Sequence, residues 1–66
     1  MTNYEIREAV SILKQRALNV GPMQMSAERH TGLIELIIDC EAILRGFRPT
    51  RPREDIETDL KDELAG

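Results

Sequence analysis

Apolar side chains recur along the first part of the chain at alternating steps of four and three. Ile6, Val10, Leu13, Ala17 and Val20 therefore share one face of a helix. Thr2 and Glu5 stand at capping-box spacing, in which each side chain satisfies a backbone N–H of the first turn. The pattern predicts a helix from about Asn3 to Val20. Gly21 and Pro22 end it, since glycine tolerates a left-handed cap and proline cannot continue the hydrogen-bond ladder. Tyr4, Ile12 and Leu18 fall off the stripe and read as scattered surface apolars. Residues 21–25 make a short connection, which favours antiparallel neighbours, with Met23 and Met25 folding back over the end of the hairpin as adaptable filler.

A second helix is predicted from an N-cap at Ser26 to about Arg45, with Glu28 facing the positive end of the helix dipole and Gly46 as the stop. His30, Leu33, Leu36, Ile37, Cys40, Ile43 and Leu44 form one broad face. Ile34, Ile38 and Ala42 add a second stripe at i, i+4, i+8. Glu28, Glu35 and Asp39 are read as the polar side. One partner helix covers an arc of about 100° or somewhat more, and this helix is apolar beyond that. Ile34, Ile38 and Ala42 are therefore the expected self-association surface.

The last segment repeats the i, i+4, i+8 spacing in Ile56, Leu60 and Leu64, with Pro52 near the first turn and Glu54 and Asp55 at the N-terminal end. These three side chains can cover part of the second helix or dock into a partner's groove. A helix of about a dozen residues is marginal alone in water, so its order is expected to depend on contact. Between the helices runs an Arg/Pro-rich link whose prolines push the preceding Arg48 and Arg51 toward extended geometry. The expected organisation is a helical hairpin over residues 1–47, the link over 48–53, and an acidic amphipathic helix or tail over 54–66.

Composition sharpens this picture. A chain of 66 residues has room for one domain, and at that size only about 60% of the unfolded surface is buried on folding. The usual supports are disulfides, a metal or association. A single cysteine, Cys40, cannot close an internal disulfide, and Cys40 with the one histidine, His30, cannot complete a tetrahedral zinc site. Association is the support left. The expected fold class is all-α: an antiparallel helical hairpin plus a short C-terminal helix, completed by self-association.

Nine basic against twelve acidic residues give a net charge of −3 and no global attraction to nucleic acid or anionic membrane. The chain opens on polar residues without the pattern of a secretory signal, and its most apolar stretch, Leu33 to Leu44, is short and carries Glu35, Asp39 and Glu41. A lone thiol then fits a reducing cytoplasm.

Chemistry is sparse. A general base needs an orienting partner and a nucleophile or substrate within reach, and nothing in the pattern supplies these to His30. Cys40 sits among Leu36, Ile37, Ile43 and Leu44, where a thiol is a small buried hydrophobe, and its neighbours Asp39 and Glu41 disfavour a thiolate. Glu35 and Asp39 lie one turn apart on a face read as solvated, with no Glu-x-x-His motif to make a metal site. Phosphate-loop, serine-hydrolase and zinc-protease motifs are absent from the sequence. No catalytic residue, metal ligand or cofactor is expected.

The most specific polar feature is the link. Arg45, Arg48, Arg51 and Arg53 can grip phosphates, and Phe47 can stack on a base. Six carboxylates follow in residues 54–66 and can neutralise the same arginines within the chain or across a dimer. The leading expectation is a non-enzymatic interaction protein, a regulator or inhibitor that binds a protein target stoichiometrically and associates with itself. The alternative is an anion-binding module that holds a nucleotide or nucleic acid through Arg45–Arg53.

Overall fold

Local hydrogen bonds close the start of the first helix and both ends of the second. The computed structural model describes residues 1–19 and 25–65. Among these the protein is all-helical, with α1 spanning Asn3–Asn19, α2 Ala27–Arg45 and α3 Arg53–Ala65. The Thr2 amide donates to Glu5 Oε1 at 3.0 Å and the Glu5 amide to Thr2 Oγ1 at 3.1 Å, which completes the reciprocal cap of α1. These hydrogen bonds hold the Glu5 carboxyl below its ordinary range. Ser26 caps α2 by accepting from the Arg29 amide at 3.2 Å.

At the other end of α2, Gly46 adopts φ 80°, in the left-handed region. Its amide donates to the Ile43 carbonyl at 3.1 Å and the Phe47 amide to the Ala42 carbonyl at 2.8 Å. This is the paired closure of a Schellman motif, and it turns the chain sharply into the link. The link yields to α3 at Arg53, one residue before the sequence-based boundary, because the Pro52 carbonyl already accepts from Asp55 and Ile56. The stop expected at Gly21 and Pro22, the packing of Val20 and Met23, and Gly66 lie outside the described residues.

Helix α1 runs antiparallel to α2. Lys14 pairs with Glu41 at 2.8 Å, while Arg7 and Val10 lie across a shallow groove from Leu44 and Arg45. Helix α3 then runs antiparallel to α2: Arg29 reaches Glu63 at 3.7 Å near one end, and Arg51, two residues before α3, holds Asp39 near the other. The core is drawn from all three helices. Ile6, Ala9, Val10 and Leu13 meet Leu33, Leu36, Ile37 and Cys40, and Ile56 and Leu60 complete the cluster, with Ala17, Met25, Ile43 and Leu44 packed at its edge. The stripe read on α1 is thus inward, and Ala9, off that pattern, joins it. Tyr4, Ile12 and Leu18 are exposed.

One expectation is corrected here, and one pair of alternatives is narrowed. Asp39, read as part of a solvated side of α2, is only 6% exposed. The link folds back over it, and that fold cannot be inferred from helical periodicity. Ile56 and Leu60, read either as cover for the second helix or as a face for docking a partner, are fully buried in the chain's own core. They join the core cluster that the two-helix hairpin begins. Only Leu64, at 37% exposure, remains accessible from that set.

Candidate interaction surface

With the broad face of α2 turned to the core, its opposite face is left to solvent. Cys40 is fully buried, and Ile38, two residues earlier and so nearly half a turn away, is 60% exposed. Ile34 precedes Ile38 by one turn at 37% exposure, and Ala42 follows by one turn, half-buried. The turn at Gly46 brings Phe47, 67% exposed, to the end of this row, where Ile38, Glu41, Ala42, Arg45 and Phe47 line one groove. Ile34, Ile38, Ala42 and Phe47 therefore form an apolar strip on the molecule's outside. On the far side of Ile38 a second groove is lined by Glu35, Asp39, Thr50 and Arg51.

The link's arginines do not act alike. Arg51 donates from Nε to Asp39 at 3.2 Å and from a terminal nitrogen to Asp59, while the Thr50 hydroxyl donates to Asp39 at 3.0 Å. The bonds to Asp59 and then Asp39 raise the Arg51 pKa beyond its ordinary value, against the opposing effect of burial. Arg53 donates to the Met1 carbonyl at 2.7 Å and lies 3.5 Å from Glu57, which the amino terminus also holds. The amino-terminal hydrogen bond pulls the Glu57 carboxyl below its ordinary value. Arg45 makes an exposed contact with Glu41 at 3.4 Å. Arg48 forms no ion pair among the described residues, and it and Phe47 stand exposed. Of the five candidate anion-binding residues, Arg45, Arg51 and Arg53 are thus engaged within the chain, Arg45 through an exposed contact.

Two further acids, one on α3 and one on α2, are paired with α1. Glu63 accepts from Arg16 at 3.0 Å, and the same guanidinium donates to the Glu63 carbonyl at 2.7 Å, fastening the end of α3 to α1. Glu41 is held by Lys14, whose hydrogen bond keeps its carboxyl below the ordinary range. Among the described residues no buried side-chain nitrogen or oxygen lacks a partner.

His30 is half-buried at the edge of the α2 face. Burial, and then the neighbouring Asp39, push the Cys40 thiol up to about 11, so at neutral pH it is a protonated core group. No three His, Cys, Asp or Glu side chains converge as a metal site among the described residues. No described helix is long and apolar enough to cross a membrane. The clasp of Asp39, Thr50 and Arg51 was missed by sequence reasoning. Its partners stand 11 and 12 positions apart, a spacing that no local pattern marks.

Comparison with protein-family models, with curated proteins and with solved structures yields no match.

Proposed function

We propose that this chain is a small interaction protein, a regulator or inhibitor that works by stoichiometric binding to a protein partner rather than by catalysis. The observation that carries this reading is the exposed strip Ile34, Ile38, Ala42 and Phe47 on a helix whose other face already completes the core. A contiguous exposed apolar row rimmed by charged residues is a feature of protein-binding surfaces. The same strip is the surface for self-association, and a lone buried thiol suits work in the reducing cytoplasm.

The test is capture from the native host with the tagged wild-type chain and with Ile38→Glu in parallel. A charge placed in the strip disrupts an apolar contact, so the reading expects a partner held by the wild type and lost by the variant. Calorimetry with that purified partner should then give a fixed stoichiometry. Identical captured sets from the two chains would sink the reading.

The second reading, anion binding by the link, retains Arg48 and Phe47, which are exposed and side by side. Arg48→Glu combined with Phe47→Ala leaves the Arg51 clasp intact and should abolish any oligonucleotide or nucleotide binding. Such binding should also weaken steeply as salt rises. No binding to the wild type at low salt would remove this alternative.

A further inference from the structure

The shallow groove between α1 and α2 gathers positive charge on a chain that is acidic as a whole. Arg7, Ser11 and Lys14 stand at i, i+4, i+7 on α1 and form one wall, and Glu41 and Arg45, one turn apart on α2, form the other. Val10, buried, and Leu44, half-buried, lie between them. Three cations face a single carboxylate here, although the chain carries a net charge of −3. Helix α3 holds six of the chain's twelve acids, but it pairs with the hairpin at Met1, Arg16 and Arg29 and contributes no residue to this groove.

We propose that this groove binds a phosphate dianion, free or as the end group of a small organic ester. Charge selects such a ligand: three cations against one carboxylate leave two positive charges, which a phosphate dianion matches. Arg7 is exposed and forms no ion pair among the described residues. Its planar fork can therefore take two phosphate oxygens at once. The exposed Ser11 hydroxyl, one turn on, can donate to the same group. Glu41 does not block the site. Lys14 holds it at 2.8 Å, whereas Arg45 touches it only at 3.4 Å through an exposed contact. Arg45 can thus turn to the ligand while Lys14 keeps the carboxylate paired.

The three cations are exposed, so each contact contributes little and is screened by salt. Binding near about 1 mM at low ionic strength follows. The site is separate from the link, since neither Phe47 nor Arg48 lines it. It is equally independent of the apolar strip on α2, and failure of either reading leaves the other standing.

The test is nuclear magnetic resonance titration of the nitrogen-15-labelled whole chain at about pH 7.5, above the second phosphate pKa of about 6. The probes are inorganic phosphate and phenyl phosphate, with sodium chloride at matched ionic strength as the control. Saturable shifts should gather at Arg7, Ser11, Lys14 and Arg45, and chloride should not reproduce them. Equal affinity for the two probes marks free phosphate as sufficient, tighter phenyl phosphate marks an ester, and either supports the site. Arg7→Gln should weaken binding at least about fivefold. Glu41→Gln should instead strengthen it about twofold or more, because it removes the groove's one negative charge. A general disturbance of the fold would not strengthen binding, so the opposed signs separate charge from structure. Arg48→Gln should leave the affinity unchanged. No saturable shift, an equal response to chloride, or a loss that follows Arg48 and not Arg7 overturns the proposal.

Discussion

Arg51 holds Asp39 through Nε at 3.2 Å, and the same guanidinium reaches Asp59, so one side chain joins α2, the link and the first turns of α3. The two ends of the pair differ in environment. Asp39 is 6% exposed, whereas the Arg51 side chain is 38% exposed and has Asp59 as a second partner. Removing Arg51 strands a buried carboxylate with only the Thr50 hydroxyl. Removing Asp39 leaves a solvated, still-paired cation. Arg51→Ala should therefore destabilise by roughly 2–4 kcal/mol and Asp39→Ala by about half that. Urea denaturation of the two variants measures the asymmetry, and equal losses would contradict it.

Helix α3 should behave as part of the core. Ile56 and Leu60 are fully buried, and Arg16 and Arg53 fasten its two ends to α1. Leu60→Ala should cost about 2–5 kcal/mol, the range for deleting a large core side chain. Amide exchange across Ile56–Leu60 should be protected nearly as strongly as across Leu36–Cys40. Fast exchange confined to α3 in the free protein would instead mark it as a conditional element.

The turn after α2 depends on a backbone conformation, not on space. A methyl group at Gly46 would meet nothing within 4 Å, but φ 80° is strained for any L side chain. Gly46→Ala should destabilise by about 1–2 kcal/mol from that strain alone. Gly46→Asn, which tolerates the left-handed region better, should recover part of it. Thermal melts of the two variants give the comparison.

Cys40 makes stability fall at high pH. Its thiol is pushed from the ordinary 9.0 up to about 11 by burial and then by Asp39. Between those values the unfolded chain releases a proton that the folded chain keeps. The folded state thus binds more protons, and its stability decreases as pH rises. The contribution is fully present below about pH 9 and lost by about pH 11, a total of roughly 2–3 kcal/mol. Urea titrations at pH 7 and in that alkaline window should show the loss in the wild type and a smaller one in Cys40→Ala. An identical alkaline loss in both would assign it to other groups.

Local chemistry by itself determined the helices. Thr2 with Glu5, Ser26, and Gly46 are caps whose partners lie within a few residues, so their hydrogen bonds are implied by spacing alone. Periodicity likewise determined which sides of α1 and α2 turn inward, because a helix holds residues three and four apart on one face whatever surrounds it. The surplus row Ile34, Ile38 and Ala42 was legible for the same reason. Tertiary structure alone decided what covers what. Ile56 and Leu60 carry the same spacing whether they fill the chain's own core or wait for a partner, and only the position of α3 against α2 makes them core. Asp39 looks like its neighbour Glu35 in sequence, yet the return of the link gives it Thr50 and Arg51 and removes it from water. The groove lined by Ile38, Glu41, Ala42 and Arg45 includes Phe47 only because the left-handed turn at Gly46 brings that ring back beside the helix. Such contacts join residues that no local period relates, so they exist only once the three helices have packed.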